Sequence, residues 1–224
     1  MWCKYSIEEL AFQVEKQLNN FWNVSFSQKD IESMKRTMQR VEQNFVASNN
    51  KYYRNDEGIV TFHVENSVQY AIFLYYFSNQ LYLDKNEELA EYIYYLNKMM
   101  NLVEWFYAVS LPDIFGSEHP LSTVLGRAEY QNYFFCYQGV TVGGNWKNDI
   151  LHYPTIGEDV VMYANSTVLG NSKIGKHVII SANTYIKDEI IPDNSMVFGQ
   201  SPNLVIKHRN NDDVQSDFCR IWRK

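Results

Sequence analysis

The chain carries no excess of basic residues. Its 224 residues include 20 Lys and Arg against 26 Asp and Glu, a net charge of -6, which argues against a nucleic-acid groove. The only basic gathering is a short mixed tail, Lys207-His208-Arg209 and Arg220-Ile221-Trp222-Arg223-Lys224, expected to be a solvated end. No apolar run reaches the ~18 residues of a membrane span. The opening Met1-Trp2-Cys3-Lys4-Tyr5-Ser6 lacks the charged-then-apolar pattern of a secretory signal. A cytoplasmic protein that engages neither membrane nor nucleic acid is the expectation. Cysteine is scarce as well: Cys3, Cys136 and Cys219 show no metal-ligand spacing, so neither a metal nor a catalytic thiol is expected.

What is present is a strict period. Ile156, Met162, Val168, Ile174, Ile180 and Ile186 stand at a spacing of six without a slip. That period fits neither a helix nor a lone alternating strand, so each hexad is one short side of a coil stacked on similar coils, three hexads to a triangular turn. Two residues before each apolar position stand Pro154, Val160, Ser166, Ser172, Val178 and Thr184, compact or β-branched as a crowded corner requires. Gly157, Gly170 and Gly175 fall near the corners. The phase extends back through Val142, Cys136 and Tyr130, and one residue short of that to Leu125. Its one interruption, Gly143 to Tyr153, is too long for a hexad and too polar for a strand; it reads as a loop thrown out from a corner, where function tends to lie.

The first half follows a helical pattern. Ser6-Ile7-Glu8-Glu9 is a capping box, and Ile7, Leu10, Ala11, Val14 and Leu18 form one stripe. Ile31, Met34, Met38, Val41 and Phe45 form a second, after a Ser27 cap. Val64 to Leu83 and Glu87 to Ser110 read as two further helices whose tyrosines and phenylalanines exceed one buried face. Either a thick helical core or a subunit interface accounts for them. Leu111-Pro112-Asp113 ends the helical part. The expected organisation is α+β: a helical N-terminal domain over 1–110, a parallel β-helix of about four coils over 111–207, and a tail over 208–224.

One constellation can carry chemistry. In Glu118-His119 a carboxylate beside an imidazole can hold the ring and stabilise its cation, the smallest unit for general-base catalysis. With Gly126 seven residues after the histidine, and with Gln138-Gly139-Val140-Thr141-Val142-Gly143-Gly144 ahead of the hexads, the chain resembles the serine acetyltransferase branch of the hexapeptide-repeat acyltransferases. That branch has Asp-His-Ala-Thr-Gly-Ile-Val-Ile-Gly and Gln-Ser-Val-Thr-Leu-Gly-Gly at these places. The resemblance covers about residues 113 to 207. It implies a left-handed β-helix, acetyl-CoA as acyl donor, His119 as base oriented by Glu118, and pantetheine binding at the small residues Gly144, Ala164 and Ala182. It also implies a homotrimer or a dimer of trimers.

The chain departs from that branch at the acceptor. The family loop ends Asp-Arg-His-Pro-Lys-Ile, and the matching stretch here is Ile150-Leu151-His152-Tyr153-Pro154-Thr155-Ile156. His152 and Tyr153 therefore fall where the acceptor-contacting Arg and His belong, and Asp113 resembles the Asp preceding the family's first coil. A neutral imidazole does not grip a carboxylate as a guanidinium does. The leading expectation is O-acetyl transfer to a hydroxyl. Its rivals are an acetyltransferase acting on a sugar hydroxyl or amine and a non-catalytic β-helix assembly module. The other histidines, His63, His177 and His208, form no constellation, and His177 is expected to face solvent. Cysteine synthase-binding members present a C-terminal isoleucine, and this chain ends in Lys224, so no such complex is expected.

Overall fold

The computed structural model describes residues 1–223; Lys224, the last residue of the expected tail, lies outside the described residues. Both serine caps operate. In the first helix, α1 (Ile7–Leu18), the Ser6 hydroxyl accepts from the Glu9 backbone N–H at 3.2 Å, and the Glu9 carboxylate accepts from Ser6 N–H at 2.8 Å. Ser27 and Asp30 repeat the arrangement for α2 (Gln28–Ala47). Asn66 caps α3 (Ser67–Leu83) and Asn86 caps α4 (Glu87–Asn101). The aromatic excess belongs to a core: α3 is buried on every side from Gln69 to Asn79, and Tyr70, Phe73, Tyr75, Tyr76 and Phe77 are all buried within the single chain.

The fourth helix is shorter than its sequence implies. It stops at Asn101, where Leu102 turns left-handed at φ 54°, and the expected continuation to Ser110 is absent. From there Val103, Trp105, Tyr107, Val109 and Leu111 are buried in strict alternation. That period of two cannot be satisfied on a helix, and Val103–Glu104 adds a short strand to the edge of the first coil, opposite Thr123 and Val124.

The hexads form the coils as expected. Pairing between neighbouring coils is parallel and shifted by eighteen residues: Ile156 lies opposite Ile174, Met162 opposite Ile180 and Val168 opposite Ile186. The extension also holds, with Tyr130, Cys136 and Val142 opposite the first three. All six hexad residues are at most 4% exposed. The compact companions are buried beside them, and Ser166 and Ser172 donate their hydroxyls to the carbonyls of Tyr163 and Leu169, both at 2.7 Å. A small hydroxyl residue thus fills the corner without leaving a polar atom unsatisfied.

The corner glycines divide into two kinds. Gly170 is left-handed at φ 67°, but most left-handed corner positions are filled by Asp159, Asn165, His177, Asn183, Asp188 and Asn194, and Asx residues are the side chains that visit this region most readily. Gly157 and Gly175 serve close approach instead. A Cβ on Gly157 would meet the Gly175 carbonyl oxygen at 2.5 Å, backbone against backbone. Gly157→Ala is therefore expected to cost about 1–3 kcal/mol of stability through overpacking, measurable as a lowered urea midpoint. A midpoint equal to wild type would show that the coils shift freely.

The interruption is not an irregular loop. Asn145–Lys147 and Ile150–His152 pair antiparallel as a hairpin, and the turn residues Asn148 and Asp149 both adopt positive φ, 51° and 59°. This is the primed geometry that matches strand twist. A two-stranded arm projecting from a corner tolerates polar side chains because it has no buried face.

The C-terminal tail is not a solvated end. Ser195–Gln200 and Asn203–His208 form a closing hairpin, α5 (Asn211–Phe218) follows, and Trp222 is 2% exposed against the rings of Tyr133 and Phe135. This strap returns to the N-terminal helices. Asn49 N–H donates to the Ile221 carbonyl and Arg223 N–H to the Ala47 carbonyl, both at 2.8 Å. The strap also covers His177, whose Nδ1 lies 3.1 Å from the buried Asp159 carboxylate, with the Phe218 ring against the imidazole. His177 is thus partly sheltered rather than open to solvent. Among the described residues no helix is long and apolar enough to cross a membrane.

Candidate active site

The coil register decides what meets what. Glu118 lies opposite Tyr137 and Val124 opposite Thr141, so His119 to Thr123 must span what Gln138, Gly139 and Val140 span in the next coil. The two extra residues bulge this corner. His119 takes φ 51°, Ser122 takes φ 59°, and Gly139 N–H donates to the Leu121 carbonyl at 2.9 Å. His119 is left exposed at the rim of the corner.

Glu118 does not hold that imidazole. Glu118 stands in register with Tyr137 of the next coil, and burial, followed by the Glu118 charge, pushes the Tyr137 phenol up to about 12. Tyr137 stacks on Tyr163 of the next coil, ring centroids 5.0 Å apart and 6° from parallel. These groups line a cleft of about 340 Å³ together with Ser48, Tyr52, Phe218 and Ile221.

The expected cofactor residues separate into two places. Val161 lies opposite Ile179 and Phe135, which puts Ala164 and Ala182 in one column with Gln138, directly beyond the His119 corner. The Asn183 N–H donates to the Ala164 carbonyl at 2.9 Å, and Ala182 is exposed. This column is bare backbone beside an exposed histidine. Gly144 lies at the other end of that coil side. A Cβ there would stand 2.8 Å from the Tyr153 ring and 3.0 Å from the His152 carbonyl oxygen, so its smallness is required by Tyr153 seated on it.

His152 and Tyr153 close the base of the projecting hairpin, His152 opposite Asn145. One chain does not bring them to His119. Five residues of extended chain separate the level of Gly139 from that of Gly144, roughly 16 Å. Asp113 is also distant. It precedes the strand Phe115–Glu118, whose far end adjoins His119, and its carbonyl accepts from the Tyr76 hydroxyl at 3.0 Å while its side chain is exposed.

Two further groups escaped the spacing of the sequence. Tyr137, the partner of Glu118, becomes visible only once the bulged corner is known. Arg127, directly after Gly126, reaches the hairpin base and donates from Nη1 to the Tyr153 hydroxyl at 3.2 Å. Twenty-six residues separate that pair, and no local pattern signals it. The Cys136 thiol is buried beside Ser117 and burial pushes it up to about 12, which keeps it protonated and inert. Among the described residues no group of three His, Cys, Asp or Glu is placed to hold a metal ion.

A helical N-terminal part, stacked coils of six-residue sides, an exposed histidine at a corner and a column of small residues define a hexapeptide-repeat β-helix protein. Residues 153–188 match the model of the bacterial transferase hexapeptide (six repeats). The chain is 30% identical over 118 residues to a serine acetyltransferase of Synechococcus elongatus, a match covering 52% of this chain and 48% of that protein. It is also similar to the crystal structure of Neisseria gonorrhoeae serine acetyltransferase, with a TM-score of 0.62 and 25% identity over 80% of this chain and 71% of that one. A serine acetyltransferase solved in complex with CoA matches in fold, with a TM-score of 0.67 and 19% identity over 91% and 86%. The chain spans about half the length of the first of these. In fold and in its six-residue repeat the chain is similar to the serine acetyltransferases, with helices followed by a parallel β-helix like theirs.

Proposed function

We propose that the protein is an acetyl-CoA-dependent O-acetyltransferase, acting on the hydroxyl of serine or a related small acceptor. The observation that carries this is the exposed His119 on its bulged corner, in line with the bare column at Ala164 and Ala182. The serine acetyltransferases it resembles, one of them solved with CoA, support the donor. The pantetheine arm would run along that column, where absent side chains allow backbone hydrogen bonds, with Gly144 contributing from the hairpin corner. His119 removes the acceptor proton as the hydroxyl attacks the thioester, and backbone N–H groups of the corner stabilise the tetrahedral oxyanion. Glu118, in register with Tyr137, is assigned to the same corner as the carboxylate that accompanies this base. His152, Tyr153 and Asp113 are assigned to the acceptor.

The separation of these groups within one chain supports a trimer or dimer of trimers, in which the hairpin of one copy meets the His119 corner of the next. A cytoplasmic location, supported by three free thiols, belongs to the same reading. The departures at His152 and Tyr153 favour one alternative, a sugar hydroxyl or amine as acceptor. One assay decides between them: CoA thiol release from acetyl-CoA with serine, homoserine and amino sugars. Stimulation by a hydroxy amino acid is expected. Release that no acceptor raises above thioester hydrolysis would sink acetyl transfer and leave an assembly module.

A further inference from the structure

We infer that Arg127, held on Tyr153, is the binding point for a carboxylate on the acceptor; this rests on the acetyl transfer proposed above. Arg127 leaves the first coil immediately after Gly126, whose N–H is fixed to the Val142 carbonyl at 2.8 Å. Its guanidinium carbon lies 5.4 Å from the Tyr153 ring centroid, and one N–H is spent on the Tyr153 hydroxyl. The remaining donors face outward, for Arg127 is exposed and no carboxylate stands within ion-pair distance of it among the described residues. The ring beneath is itself fixed, because it sits on the bare backbone of Gly144.

A guanidinium lying over an aromatic ring and bonded to its hydroxyl has lost part of its rotamer freedom before a ligand arrives, so its remaining N–H groups present a partly pre-organised fork. That fork matches two coplanar oxygens of one carboxylate. A phosphate dianion would want a second cation. The nearest candidate on the same hairpin, Lys147, is turned to Asp188, 4.0 Å away. One guanidinium, one unit of charge and a neighbouring His152 point to a hydroxy acid or hydroxy amino acid, and against a neutral sugar.

The test compares L-serine with L-serinamide, which keeps the hydroxyl and amine but lacks the carboxylate, in wild type, Arg127→Ala and Arg127→Lys. Wild type is expected to favour L-serine. Arg127→Ala should lower kcat/KM for L-serine by roughly 10- to 100-fold, mainly through KM, and leave L-serinamide unchanged, with Arg127→Lys in between. Equal use of both compounds by wild type, or an unchanged preference in Arg127→Ala, overturns the inference. Calorimetric binding of L-serine separates this result from failure of the enzymatic reading. Binding lost in Arg127→Ala without any turnover rejects acetyl transfer and keeps the carboxylate site. Absent or Arg127-independent binding rejects the site.

Discussion

Replacing His119 by alanine is expected to reduce kcat for acetyl transfer by about 10²–10⁴-fold, the range over which a positioned general base contributes. Binding of acetyl-CoA should be little changed. The histidine is exposed on a left-handed corner, so the variant should melt close to wild type. That separates loss of chemistry from loss of structure. Steady-state thiol release together with equilibrium CoA binding reads the two independently. Full activity in the variant would remove His119 as base and redirect attention to the cleft at Glu118 and Tyr137.

The second large effect concerns folding. Phe115 is fully buried, and its ring makes edge contacts with Tyr75, Tyr76 and Trp105 at centroid distances of 5.5–5.7 Å. Its carbonyl accepts from the buried Asn44 side chain at 2.8 Å. This residue opens the first coil and closes the helical core, so the cavity left by Phe115→Ala cannot collapse from either side. A loss of about 3–5 kcal/mol is expected, comparable to the whole stability of a modest domain. A denaturant titration measures it. A loss under 1 kcal/mol would show that the helices and coils are not joined through this ring.

Much of the architecture was legible because the hexad period is enforced at every coil. A residue two before an inward apolar position has no room to be large, and a slip of one would turn the apolar side outward. The segment from Val103 to Leu111 was misread because its alternation is short and its neighbours are helix formers; only the first coil, which supplies the edge, makes the alternation matter. The hairpin at Asn145–His152 hid behind its polarity, and the tail behind its charge. Trp222 is apolar enough to need a partner, but that partner, Phe135, lies far upstream. The site was legible as a set of residue types. Its geometry depended on the two-residue bulge that leaves His119 exposed at the corner and on the coil register that brings Arg127 to the hairpin base.

The strap that carries α5 back to Ala47 and Asn49 has a consequence for how the molecule comes apart. A stack of similar coils, each touching only its neighbours, would fray progressively from its open end. Here the open end is tied to the opposite end of the chain by contacts such as Asn49 to Cys219 and Asn49 to Arg223, 170 and 174 residues apart. A linear array has in effect been closed into a ring. The last coil cannot loosen before its tether to the helical core is lost, so the solenoid shares the fate of the helices in one cooperative event instead of unzipping repeat by repeat.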